Sequence, residues 1–297
     1  MSKELLTFLN PKSPISEIFR TLRTNIQFMN AKGNLKTILV TSILPGEGKS
    51  WVSSNLAVTF AQAGKRVIIV DADMRKGRQY SIFGASPRPG LSNYLSGVDD
   101  NYNQNASNDI TKYIQETEVE NLYLISAGNV PPNPSELLES EKMINLLNNL
   151  KEMADIVIVD GPPSQLVTDS LIITRLVDTT IIVSASKQAK KDDLKKLINN
   201  IKHVGGRVAG VVVNKVPMPT KKYEQSYYYG STTMAVSSEK ENTRKNRTIN
   251  YNEQEIQKDN DTEDKNETNL EDTQEMLRKI KEYVDNEKMN LNNAREE

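Results

Sequence analysis

The sequence predicts a doubly wound α/β domain, a mostly parallel sheet with helices on both faces. Three observations lead there. Short β-branched runs alternate with helical patterns along the first two thirds of the chain. Each run is an almost unbroken apolar stretch, as expected of strands covered on both faces, where half-exposed strands would alternate. One run passes through a glycine-bearing turn directly into a helix, the context of a phosphate loop. The runs fall at residues 36–42, 67–71, 122–126, 156–160, 180–184 and 208–214. In such a sheet ligands bind beyond the carboxyl ends of the strands.

Ahead of the first run, residues 16–29 (SEIFRTLRTNIQFM) carry apolar residues at helical spacing, with Ser16 placed as the N-cap. This marks residues 1–34 as an N-terminal helical segment and 35–217 as the phosphate-loop domain. After Lys215 the β-rich pattern stops. Residues 218–232 form a polar segment bearing a tyrosine cluster. Residues 233–297, rich in Asn, Glu and Lys, lack the apolar content that would offset their ordering entropy, and are expected to be mostly disordered, with a short amphipathic helix at 270–284.

Composition removes whole classes of chemistry. A formal net charge of −1 offers no basic footprint for nucleic acid. Cysteine is absent, which excludes disulfides, thiolate-bound zinc, iron–sulfur clusters and cysteine nucleophiles. The single histidine, His203, ends a lysine-rich helical pattern and reads as a surface residue. The N-terminus MSKELLTFLN lacks a signal-peptide pattern, and no run approaches the roughly 18 apolar residues that span a bilayer. The expected location is therefore the cytoplasm.

The loop ILPGEGKSW follows the first strand. Gly46 and Gly48 admit tight turns, so N–H groups from Gly46, Glu47, Gly48, Lys49 and Ser50 can converge on phosphates at a helix N-terminus, with Trp51 next in line. Lys49 supplies a mobile positive charge, and the Ser50 hydroxyl suits Mg²⁺. The usual loop begins with a glycine that here is Ile43. A second strand ends in VIIVDADMR, placing Asp71 and Asp73 at the same sheet edge, on one face of extended chain. A third, DIVIVDGPP, ends in Asp160. One such aspartate alone is as readily a helix cap or ion-pair partner. Three beside a GEGKS loop call for Mg²⁺ and bound phosphates to neutralise them. With histidine and cysteine unavailable, Asp71 or Asp73 would serve as base toward a hydroxyl acceptor.

Downstream lies KKYEQSYYYG, with Tyr223, Tyr227, Tyr228 and Tyr229 in a polar surround. Ten extended residues reach roughly 35 Å at most. That suffices to bring the cluster to the chain's own site or a neighbour's; a sticky interaction patch is the other reading of these residues.

At this point the chain resembles the cytoplasmic kinases of the bacterial tyrosine kinase family, the BY-kinases, in the stand-alone form found beside capsule and exopolysaccharide genes. The resemblance covers about residues 10–230 and rests on an ordered set: EIFRTLRTN, PGEGKS, IIVDADMR, PGLSNYLSG, PPNPSELLES, VIVDGPP, GVVVNKV and the tyrosine cluster. It implies an ATP- and Mg²⁺-dependent kinase in which Lys49 and Ser50 bind phosphate and metal. Asp71 and Asp73 would serve catalysis and metal binding, Asp160 would support the metal, and Asn214 would lie near adenine. It further implies that Glu17, Arg20 and Arg23 match an E-x-x-R-x-x-R oligomerisation motif of ring-like homo-oligomers; on one helical face, these three also read as a solvated charged face. The implied partners are a membrane-embedded activator that recruits the chain to the membrane, a tyrosine phosphatase and polysaccharide-pathway proteins.

Two departures stand out. About 65 residues, including Tyr251 and Tyr283, follow a cluster that usually ends the chain, and KGRQYSIFG lacks a proline common after Arg75. The alternative function is a ParA- or MinD-like ATPase switch. Such proteins carry an early second lysine in the loop, where this chain has Leu44.

Overall fold

The structure, a computed structural model, describes residues 2–29, 35–99, 101, 103–104 and 107–217. All of these lie in the first of the two units into which the chain divides, Met1–Ser237. The tyrosine cluster, the polar tail and the helix expected at 270–284 lie outside the described residues.

Seven strands form one sheet: β1 (Thr37–Ser42), β2 (Val67–Asp71), β3 (Gln115–Glu116), β4 (Leu122–Ile125), β5 (Ile156–Asp160), β6 (Thr179–Ala185) and β7 (Val208–Asn214). Their order is β3-β4-β2-β5-β1-β6-β7. Every pairing is parallel except β3 with β4. Nine α-helices cover the sheet among the described residues: α1 (Leu6–Leu9), α2 (Pro14–Met29), α3 (Lys49–Gln62), α4 (Gln79–Phe83), α5 (Leu91–Ser96), α6 (Pro134–Glu139), α7 (Glu141–Met153), α8 (Asp169–Thr174) and α9 (Lys191–His203).

The unbroken apolar strands have the cause the sequence suggested. In the central strands alternate residues enter opposite cores: Ile38, Val67, Ile69, Ile156 and Ile158 pack against α3, while Leu39, Ile68, Val70, Val157 and Val159 pack toward α5 and α7. Two-sided burial leaves no position for a polar alternation. β7 differs. It is only half-buried along its length, as an edge strand is.

Three details depart from the sequence reading. β3 is a two-residue antiparallel ribbon of polar residues, too short to show a period. Ser16 is not the N-cap of α2. The helix starts earlier, with Pro14 as its first residue; the Ser13 side chain accepts from Ser16 N–H at 3.1 Å, and the Ser13 carbonyl accepts from Glu17 N–H. Proline at the first helical position after a serine cap is the favoured arrangement, because its missing N–H would have had no partner. Ser16 instead lies buried and donates to the Asn10 carbonyl at 2.7 Å.

The third departure is an N-terminal strap. Residues 2–13 lie across α3: Thr7 N–H donates to Asn55 Oδ1 at 3.0 Å, Asn55 Nδ2 to the Glu4 carbonyl at 2.9 Å and Gln62 Nε2 to the Thr7 carbonyl at 3.0 Å. Leu5 is fully buried in the same core as Ile38 and Leu56. With the sheet below and α1 and α2 above, α3 is buried at Ser50 and continuously from Val52 to Ala61. It therefore lacks a polar stripe.

Candidate active site

The strand order sets the site. β2, β5 and β1 are adjacent, and Asp71 and Asp160 are paired directly across β2 and β5, with Asp160 paired to Val40 of β1. The phosphate loop leaves β1 one turn beyond. Three chain segments distant in sequence thus end beside one another at the carboxyl edge.

The loop is held from within. Glu47 is fully buried; its Oε2 accepts from Leu44 N–H at 2.7 Å and its Oε1 from Ala185 N–H at 3.0 Å. Both carboxylate oxygens are thus committed to the loop and to β6, which leaves the backbone N–H of Glu47 to meet a ligand. Asn214 Nδ2 donates to the Glu47 carbonyl at 2.9 Å. Gly48 sits at φ +95, and a Cβ there would collide with the Asn214 amide. Glycine is required at that position both by conformation and by space. No acceptor for the N–H groups of Gly46 to Ser50 is found among the described residues. They form a donor concavity at the start of α3, suited to an anion.

Beneath this loop Lys49 Nζ lies 3.0 Å from Asp73 Oδ2, 3.8 Å from Asp160 Oδ1 and 3.2 Å from Ser50 Oγ. Burial opposes the ammonium, but Asp160, Asp73 and Asp71 outweigh it and raise the Lys49 pKa. Asp71 sits deeper. Its burial, with Asp160 beside it, pushes its carboxyl up to about 7, although the Gln79 N–H and the Lys49 charge pull the other way. Gly77 allows this depth: a Cβ there would stand 2.9 Å from Asp71 Oδ2 and strike Ala127. The absence of a side chain at Gly77 therefore lets the chain close over Asp71.

A cleft of about 280 Å³ opens between the loop and the segments after β2 and β5, lined by Gly46, Lys49, Ser50, Trp51, Asp73 and Arg75 among others. Trp51 stands at its rim, edge-on to Phe19 of α2 with ring centroids 5.2 Å apart. Arg75 is anchored by the buried Asp169, Nε to Oδ2 at 3.1 Å.

The structure therefore brings together Gly46, Gly48, Lys49, Ser50, Asp71, Asp73 and Asp160, with Asn214 behind the loop. Glu17, Arg20 and Arg23 lie elsewhere, along α2. There Glu17 pairs with Arg20, Arg20 also donates to the Pro11 carbonyl at 2.7 Å, and Arg23 donates to the Thr59 carbonyl of α3 at 2.8 Å.

One central residue escaped the sequence reading. Gln79 is fully buried; its N–H donates to Asp71 Oδ2 at 2.9 Å and its Nε2 to Asp160 Oδ2 at 2.8 Å, Ser53 Oγ at 2.9 Å and the Ser50 carbonyl at 3.1 Å. A glutamine six residues beyond the DAD motif carries no signal of its own. Only its place at the head of a short helix, in a segment otherwise full of charge, marks it.

The donor set fits Mg²⁺. Among the described residues no three His, Asp or Glu side chains form a metal site by themselves, but Mg²⁺ is usually held by one or two carboxylates together with phosphates and water. Three carboxylates face one lysine, and Asp160 Oδ1 is buried with no hydrogen-bond partner. That orphaned oxygen sits where a cation would satisfy it.

A family model described as an AAA domain matches residues 35–211. The chain is 41% identical over 220 residues to CapB of Staphylococcus aureus, covering 74% of this chain and 92% of that one. It is 36% identical over 208 residues to the tyrosine-protein kinase CpsD of Streptococcus pneumoniae, covering 70% and 87%. Among solved structures it resembles the chimerical protein CapA2B2, at 38% identity and a TM-score of 0.67, covering 73% of this chain and 92% of that one. Phosphate loop, paired carboxylates and these likenesses agree: the chain belongs to the bacterial tyrosine kinase family, nucleotide-binding enzymes built on a P-loop sheet.

Proposed function

We propose that this kinase transfers phosphate from Mg·ATP to Tyr223, Tyr227, Tyr228 and Tyr229 of an identical neighbouring chain. The observation that carries the reading is the meeting of Lys49 with Asp73, Asp160 and Ser50 under a loop whose N–H groups are free to take an anion. In phosphoryl transfer the protein contributes mainly positioning and charge neutralisation, and this arrangement offers both.

The N–H groups of Gly46 to Ser50 would hold the β- and γ-phosphates, and Lys49 would follow the charge that develops between them. Ser50, Asp73 and Asp160 would hold Mg²⁺, which supplies neutralisation of the triphosphate. The tyrosyl oxygen forms its bond to the γ-phosphorus as the bond to the β-phosphate oxygen breaks, and the phenolic proton passes to a carboxylate. Asp73 lines the cleft. Asp71 stands behind it with a pKa of about 7, suited to accept a proton and release it near neutral pH. Asn214 would brace the loop on the adenine side.

Glu17, Arg20 and Arg23 would form the contact between neighbours in a ring-like homo-oligomer. No helix among the described residues is long and apolar enough to cross a membrane. Recruitment from the cytoplasm to the membrane would then depend on a membrane-embedded activator. By resemblance the process regulated is capsular or exopolysaccharide synthesis and export, with a phosphatase to reverse it. Against a ParA- or MinD-like switch stands Leu44, whose side chain packs into the apolar cluster of β6 and α9 where the second lysine of such loops would be.

The test is incubation of the full chain with labelled Mg·ATP followed by mass spectrometry of the tyrosines. Phosphate on residues 223–229 is expected. Hydrolysis of ATP with every tyrosine unmodified would favour the switch.

A further inference from the structure

Asp160 has two oxygens in different circumstances. Oδ2 accepts from Gln79 Nε2 at 2.8 Å, whereas Oδ1, 3.8 Å from Lys49 Nζ, has no hydrogen-bond partner among the described residues. We propose that Gln79 is a positioning residue for the metal: its amide holds one Asp160 oxygen so that the other is presented, bare, to Mg²⁺ beside the phosphates. The inference rests on the Mg·ATP reading above and adds a residue to it.

The amide's orientation is over-determined. Nε2 faces the Asp160 carboxylate, the Ser50 carbonyl and the Ser53 hydroxyl. A flipped amide would turn its oxygen toward a carboxylate and a carbonyl, neither of which can donate. The unflipped one leaves Gln79 Oε1 buried with no partner. An unpaired buried carbonyl costs free energy, so the side chain is held by its donor bonds and not by any bond to its oxygen. The same residue's backbone N–H holds Asp71, and its bond to the Ser50 carbonyl ties the amide to the first turn of α3, the turn that also carries Ser50 Oγ. One glutamine thus fixes two carboxylates relative to the helix that presents the hydroxyl ligand. Neutrality matters here. A glutamate in this place would set a fourth negative group against Asp160, whereas an amide orients the carboxylate and leaves its charge available to the cation. Partners of this kind, one shell behind a metal ligand, typically alter metal affinity by about 10–100-fold when removed.

The test is titration calorimetry of ATP into the full chain, once with Mg²⁺ and once with EDTA, for wild type, Gln79→Met and Ser53→Ala. Methionine matches the length of glutamine and cannot donate. The wild type is expected to bind ATP more tightly with Mg²⁺. In Gln79→Met that gain should fall about tenfold or more, with EDTA affinity within about twofold of wild type. Ser53→Ala removes a different partner of the same amide and should keep the gain. An undiminished gain in Gln79→Met, or an equal loss in Ser53→Ala, overturns the proposal. If Gln79→Met fails to fold, Gln79→Glu, which keeps the reach and adds charge, takes its place, and an undiminished gain there overturns it equally. A wild type with no Mg²⁺ gain at all would instead refute the Mg·ATP reading itself.

Discussion

The phosphate-loop site and the charged face of α2 both announce themselves as motifs, yet they spend charge in opposite ways. At the site Lys49, Asp71, Asp73 and Asp160 are buried or nearly so and crowd within about one side chain's reach of each other. On α2 the Glu17–Arg20 pair is about one-third exposed. Buried charge is expensive unless paired, so a buried cluster with more anions than cations marks a place that expects a ligand. Exposed pairs contribute little to the subunit and remain free to serve contacts outside it.

The largest test of that contrast is Lys49→Met. It leaves three carboxylates without their cation, and tyrosine labelling should fall by about 10³-fold or more, with loss of about 3–5 kcal/mol of nucleotide-free stability by urea unfolding. Unchanged labelling would place the chemistry elsewhere. Asp71→Asn comes next: a lost proton acceptor should lower the rate of labelling by about 10²–10⁴-fold, while ATP affinity stays near wild type.

The same variant sharpens the contrast through pH. A carboxyl held at about 7 when folded, against an ordinary value of 3.8, binds its proton more tightly in the native state. Its stabilising contribution is full below about pH 3.8 and is lost as the pH rises through 7. Between pH 5 and pH 8 the nucleotide-free wild type should therefore lose on the order of 2–3 kcal/mol more stability than Asp71→Asn. Parallel pH dependence of the two proteins would contradict it. The smallest effect belongs to α2. Arg20→Ala should change subunit stability by no more than about 1 kcal/mol, yet together with Arg23→Ala it should reduce the oligomer's mass in light scattering. A marked loss of subunit stability with unaltered mass would show that this face serves the fold and not assembly.

The sequence disclosed the central strands, the loop and the three aspartates because each depends on a local pattern: an unbroken apolar run, a glycine pair before lysine, a carboxylate at a run's end. It concealed what is made by convergence. Gln79 matters only because β2 and β5 are neighbours in a sheet where they are not neighbours in sequence. Glu47 resembles a ligand-facing loop residue until its two oxygens are found on Leu44 and Ala185. The strap of residues 2–13 is held by polar detail, Thr7 and Glu4 against Asn55 and Gln62 of α3, and shows no period to recognise. The start of α2 is hidden for a different reason: a serine precedes the apolar helical positions at both 13 and 16, and only Pro14, favoured as a first helical residue, decides between them.

The envelopment of α3 has a consequence for variation. A helix with one wet face accepts many residues there and few on the other, so its tolerance to substitution rises and falls every three or four positions. From Val52 to Ala61 this helix has no wet face, and its small side chains, Ser53, Ser54 and Ala57 among them, leave no slack for growth. Enlarging any of them, as in Ala57→Leu, would overfill a closed interior at a cost of about 1–3 kcal/mol. Deep mutational scanning should accordingly find ten consecutive intolerant positions without rhythm, from Val52 to Ala61.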